Sequence, residues 1–147
     1  YPDDQKYLYG HSIIKLIQKL KPEYDFLQLT HPKACSNYKD YCDNNNITSC
    51  NSNDELVQKY QQCFLALRLT NHDGIANSVL ELGSLGIKTI YNDSKCPAAL
   101  TYNSIDDIIN HIENEKKTIG TIDDNLIENV KKFIIPDENI YYTGFYE

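Results

Sequence analysis

The segment Leu67-Arg68-Leu69-Thr70-Asn71-His72-Asp73-Gly74-Ile75-Ala76-Asn77-Ser78-Val79-Leu80-Glu81 gathers residue types from which a binding site can be built. It reads as an apolar strand end, a polar turn containing Gly74, and the start of a helix. Backbone N–H groups at a helix N-terminus point outward, and the helix dipole is positive there, so such a turn suits a phosphate. Asp73 stands in the turn and Glu81 stands eight positions on, slightly over two helical turns, so both can look toward one cleft. Two carboxylates are not attracted to phosphates. They accept paired hydrogen bonds from vicinal hydroxyls, as on a sugar or a ribose. Arg68, at the strand end, supplies a cation.

Such a turn needs a strand before it and a helix after it. Cys63–Leu69 is an apolar run without alternation, the pattern of a strand buried on both faces of a parallel sheet. Ala76–Leu85 carries Val79, Leu80, Leu82 and Leu85 at helical spacing and stops at Gly86. Upstream, Ile13, Ile14, Ile17 and Leu20 predict a helix over His11–Leu20, with Pro22 just past its end. Tyr24–Leu29 reads as a strand, residues 33–53 as a long polar loop with at most a fragment of helix, and Asp54–Tyr60 as a helix capped by Asn53 or Asp54. Downstream, Lys88–Tyr91 reads as a strand and Asp93–Asn103 as a loop with Pro97. Ser104 and Asp107 open a helix striped by Ile105, Ile108, Ile109 and Ile112, and a last helix runs over Asp123–Phe133. Alternating helices and strands imply a parallel sheet with helices on both faces. We therefore expect one α/β domain of Rossmann-like type over 1–147.

The stretch Asp73-Gly74-Ile75-Ala76-Asn77-Ser78-Val79-Leu80-Glu81 resembles the acid-x7-acid motif of retaining GT-B glycosyltransferases of the family-four type. The continuation Leu82-Gly83-Ser84-Leu85-Gly86-Ile87-Lys88-Thr89-Ile90 is similar to that family's small-residue helix end and following strand. The resemblance is strong over 63–93 and weaker, in element order, over 10–133. It implies one half of a GT-B fold, the donor-binding domain, acting on a nucleotide-diphosphate sugar and transferring the sugar with retention. By the same resemblance Asp73 contacts hydroxyls of the transferred sugar and Glu81 holds the ribose. Backbone around Gly74, Ile75 and Ala76 approaches the sugar, and the N–H groups of Asn77, Ser78 and Val79 face the diphosphate. Neither a cofactor nor a metal is implied. Relatives often supply basic residues to the diphosphate from early loops; here the first loop offers Lys6, and Arg68 is the other candidate. The implied partners are the sugar nucleotide, a hydroxyl acceptor such as a glycan, and an N-terminal GT-B domain. Two other readings stay open: a non-catalytic Rossmann-like module that binds a nucleotide or docks a partner, and a sugar-nucleotide epimerase, which shares the GT-B architecture.

Composition bounds these readings. The 147 residues carry 14 Lys and Arg against 21 Asp and Glu, a formal charge of -7, which argues against a general nucleic-acid binder. No apolar run approaches the roughly 20 residues of a membrane span. The lack of Met predicts a processed product or an excised piece of a longer protein. Abundant Asn, Ile, Lys and Tyr with a single Arg suit an AT-rich viral or bacterial genome. The five cysteines are an odd number, where a secreted disulfide scaffold prefers an even one. Cys63 and Cys96 flank apolar segments and are expected to pack as small hydrophobes. Cys35, Cys42 and Cys50, with His31, leave a zinc site open, but no C-x2-C pair exists. Reduced cysteines in a cytoplasmic setting, host cytoplasm if the chain is viral, are the simpler expectation.

Overall fold

Apolar stripes too short to bury themselves explain the architecture of this computed structural model, a mixed α/β structure. It describes residues 10–70, 76–93 and 95–135. The chain divides into two compact units, Tyr1–Cys63 and Phe64–Glu147, where the sequence reading takes 1–147 as one domain.

The first unit starts with α1 (His11–Leu20), entered through Gly10 in the left-handed region at φ 65. Ile17 is its buried anchor, while Leu16 and Leu20 are exposed. The strand expected over Tyr24–Leu29 is shorter and lies later, as β1 (Gln28–Thr30). It pairs in parallel with β2 (Ile47–Ser49), Gln28 opposite Ile47 and Thr30 opposite Ser49. Between them, the polar stretch expected to be loop forms α2 (Pro32–Asn37) and α3 (Lys39–Asn44). His31 caps α2, its Nδ1 accepting the Lys33 N–H at 3.2 Å. Pro32 then sits at the first helical position, where its missing N–H costs nothing. Finally α4 (Asn53–Tyr60) is capped by Ser52 rather than by Asn53 or Asp54: its hydroxyl accepts from Glu55 N–H at 3.2 Å.

The second unit is built on a three-stranded parallel sheet ordered β3 (Ala66–Leu67), β4 (Thr89–Ile90), β5 (Ala99–Leu100). Helix α5 (Asn77–Ser84) links β3 to β4 as the crossover a parallel pair requires. Among the described residues, the link from β4 to β5 contains no helix. Two more helices follow, α6 (Ile105–Lys116) and α7 (Asp124–Ile134). Parallel pairing agrees with the alternation read from the sequence; the two sheets lie in separate units.

Two glycines shape this unit. Gly86 holds φ +78 just past α5. Its N–H bonds Gly83 C=O and the Ile87 N–H bonds Leu82 C=O, both at 3.0 Å, which closes the helix as a Schellman motif. Gly83 marks a close approach: a Cβ there would meet Ala98 Cβ at 2.7 Å and Val130 Cγ2 at 2.8 Å. Around it lies the core of Ala76, Val79, Tyr91, Cys96, Ala98, Leu126 and Val130. Lys88, just before β4, bonds Glu115 Oε1 of α6 at 2.9 Å and lies 3.9 Å from Asp123 Oδ2. Among the described residues no helix is long and apolar enough to cross a membrane.

Candidate functional site

Because β3, β4 and β5 are parallel, their C-terminal ends open onto one edge of the sheet. Ligands of open parallel sheets bind beyond that edge. The chain leaves β3 through Arg68, Leu69 and Thr70 and re-enters described structure at Ala76, where α5 starts.

Arg68 keeps its backbone in the sheet, its N–H donating to Ile90 C=O at 3.0 Å. Its side chain, half-buried, reaches the first turn of α5, where Nη1 donates to Ser78 Oγ at 3.3 Å. A guanidinium placed beside the positive end of a helix dipole gains nothing from that dipole. The Arg68 guanidinium and the first N–H groups of α5 thus stand close together past the end of β3.

The start of α5 differs from that of α6. Ala76, the N-cap of α5, is buried and gives no side-chain cap bond. At α6 the Ser104 hydroxyl accepts from Asp107 N–H at 3.1 Å, while Asp107 Oδ2 accepts from Asn103 N–H at 2.9 Å and Ser104 N–H at 3.1 Å. That capping box satisfies the first donors of α6 from within. Those bonds, the Asn103 N–H foremost, hold the Asp107 carboxyl below its ordinary value.

The expected site residues divide by placement. Arg68 and Ser78 are brought together. Asn77 is exposed on the first turn of α5, and Glu81 is exposed one turn later on the same helix. Among the described residues no partner engages the Glu81 carboxylate. Val79 is different: its side chain is fully buried in the core, and its N–H donates to Ala76 C=O at 2.9 Å. That leaves the N–H groups of Asn77 and Ser78 as the natural donors beyond the helix end. Asp73, Gly74, Ile75 and Lys6 lie outside the described residues.

The sheet edge also carries groups the sequence reading passed over. Thr70 is 8 % exposed, and its Oγ1 has no hydrogen-bond partner among the described residues. A hydroxyl buried in that way is costly unless something else completes it. At the ends of β4 and β5, Asn92 Oδ1 accepts the Tyr102 N–H at 3.0 Å, and Thr101 C=O meets His111 Nε2 at 2.8 Å. Tyr102 is half-buried, and burial pushes its phenol up. Thr70 and Asn92 follow strands that the sequence predicts, whereas Thr101 and Tyr102 follow β5, which it does not, and His111 lies on α6.

Among the described residues, no three His, Cys, Asp or Glu side chains converge as a metal-binding group, so His31, Cys35, Cys42 and Cys50 do not assemble as zinc ligands there. Burial pushes up the thiols of Cys42, Cys63 and Cys96. Cys96 belongs to the core, as expected of a small hydrophobe, and Cys63 is half-buried with its Sγ 3.5 Å from Lys59 C=O. Comparison with protein-family models, with curated proteins and with solved structures finds no match to this chain.

Proposed function

We propose that the chain is the donor-binding half of a retaining GT-B glycosyltransferase, with a Rossmann-like fold, and that it binds a nucleotide-diphosphate sugar. The observation that carries this reading is the Arg68 guanidinium on Ser78, at a helix start without a side-chain cap, beyond the C-terminal edge of a parallel sheet. A diphosphate answers that chemistry. Its oxygens take the Nη donors of Arg68 and the N–H groups of Asn77 and Ser78. Glu81, exposed one turn along α5, accepts hydrogen bonds from the ribose hydroxyls. Asp73 is assigned to the hydroxyls of the transferred sugar, with the backbone at Gly74 and Ile75 beside it.

The electrostatic role follows. As the bond from the anomeric carbon to the phosphate oxygen breaks, negative charge grows on the departing diphosphate. Fixed positive groups then interact more strongly with the transition state than with the bound donor, which is what accelerates a reaction. The acceptor, a hydroxyl compound, is held by a second GT-B domain in this reading. The chain by itself is expected to bind donor weakly and transfer little, in a cytoplasmic setting.

Calorimetric titration of the full chain with UDP-, GDP- and ADP-sugars tests the reading. Binding of at least one, weakened by Glu81→Ala, supports it. Arg68→Ala is expected to weaken binding by about tenfold or more, since a charge-assisted hydrogen bond contributes roughly 1.5–3 kcal/mol. Absence of binding across the panel, or a Glu81→Ala chain that binds as tightly as the parent, sinks it. Binding of nucleotide with no dependence on Glu81 would point instead to the non-catalytic module.

A further inference from the structure

One polar group at the sheet edge has no part in the binding scheme given above. Thr70 is 8 % exposed, so more than nine-tenths of it is buried, and among the described residues its Oγ1 has no hydrogen-bond partner. Its placement follows from the strand it extends. Ala66 and Leu67 form β3, and the Arg68 N–H still donates to Ile90 C=O at 3.0 Å, so the chain keeps the course of the sheet beyond the strand. Side chains alternate along such a course, which puts residues 66, 68 and 70 on one face and residues 67 and 69 on the other. The Arg68 side chain marks its face, since Nη1 donates to Ser78 Oγ at 3.3 Å on the first turn of α5. Thr70 therefore stands one strand repeat beyond Arg68, on the side where α5 begins. That helix start has no side-chain cap, and the Val79 N–H is already given to Ala76 C=O.

We propose that the Thr70 hydroxyl donates directly to a phosphate oxygen of the bound diphosphate, beside the Arg68 guanidinium and the N–H groups of Asn77 and Ser78. That the diphosphate belongs to a sugar nucleotide rests on the reading above; the role of the hydroxyl depends only on the phosphate. A hydroxyl has one hydrogen to give and rotates to aim it. Buried without an acceptor, it has lost its water and gained nothing in exchange. An anionic oxygen brought to the end of β3 supplies the missing acceptor, and hydrogen bonds to charged groups are stronger than those between neutral ones. The same burial that makes Thr70 a cost to stability makes it effective in binding. The two effects then carry opposite signs when the hydroxyl is removed. A threonine kept only for its shape would show neither, because valine has the same shape.

Calorimetric titration of the full chain with inorganic diphosphate and with UDP, GDP and ADP, alongside urea denaturation, tests this. The parent chain is expected to bind inorganic diphosphate and at least one of the nucleotides. Thr70→Val is expected to weaken both by about tenfold, while its urea midpoint stays unchanged or rises. Thr70→Ser keeps the hydroxyl and is expected to keep the binding. Thr89→Val removes an equally orphaned hydroxyl between β3 and β5 and is expected to leave binding unaltered. Thr70→Val that binds as tightly as the parent overturns the proposal and leaves the sugar-nucleotide reading standing. Equal weakening in Thr70→Ser, or weakening matched by a lower urea midpoint, also overturns it, as does a parent chain that binds no diphosphate at all. Thr70-dependent binding of inorganic diphosphate with no binding of any sugar nucleotide supports the proposal and removes the sugar-nucleotide reading. Thr70→Ala also lacks the hydroxyl and decides the matter even if Thr70→Val fails to fold.

Discussion

Thr70 and Thr89 present the same orphaned hydroxyl in two settings. Both are buried, and neither Oγ1 has a hydrogen-bond partner among the described residues. Thr89 lies in the central strand β4 and is 1 % exposed; Thr70 lies past the end of β3, two residues on from Arg68. Thr89→Val removes an uncompensated polar group at nearly constant volume. It is expected to leave stability unchanged or raise it by up to about 1 kcal/mol, read by urea denaturation. Thr70→Val is expected to fold equally well but to weaken sugar-nucleotide binding; unchanged binding would remove Thr70 from the site. Asp107 gives a pH signature. Its folded value lies below the ordinary carboxylate value because the Asn103 N–H, with the Ser104 N–H and hydroxyl, bonds its ionised form. The stability it adds is therefore present above the unfolded value, about 3.9, and is lost as pH falls through the lower folded value. Asp107→Asn is expected to flatten that part of the acid limb in melting curves taken from about pH 5 down to about pH 2.

At the level of elements, Gly83 is the most constrained position in α5. Ala is normally the better helix former by about 1 kcal/mol. Here a methyl group would strike Ala98 and Val130, so Gly83→Ala is expected to lose about 1–3 kcal/mol by overpacking. A variant as stable as the parent in denaturant titration would show that α5 and α7 do not approach so closely. The helices α1, α4, α5, α6 and α7 were legible in the sequence because their apolar spacing and caps repeat over eight residues or more, whereas the six-residue α2 and α3 were read as loop. The stripe Ile105–Ile112 with Ser104 and Asp107 led directly to α6, and the run from Val79 to Gly86 led to α5 and its stop. The strands β2 and β5 were not legible, since three or two residues give no periodicity to read. Just ahead of β5, Pro97 also pointed to a loop. The long Cys63–Leu69 run overstated β3, which pairs with β4 only at Ala66 and Leu67. At the site, Arg68 and Glu81 were readable as chemistry. The loss of the Val79 N–H to Ala76 was not, because it depends on how tightly the first turn winds.

For the whole molecule, the two sheets belong to different compact units, so local opening is expected to be read separately in each. Native-state hydrogen exchange tests this with Gly83→Ala. Protection should fall across α5 and α7, while α1 to α4 keep theirs; a uniform fall across both units would mean they open together. The order of elements also bears on how the chain is made. The core of the second unit draws Ala76, Val79, Tyr91, Cys96 and Ala98 from its early part, but Leu126 and Val130 from α7. Synthesis runs from the N-terminus, and units made first can fold first. A nascent chain that has emerged only as far as α6 has β3, β4 and β5 but lacks α7, whose Val130 lies against Gly83. Until α7 arrives, the apolar faces of α5 and the 96–98 segment stay open to water and to other chains, so premature termination before Leu126 yields a product prone to clump rather than a smaller working domain.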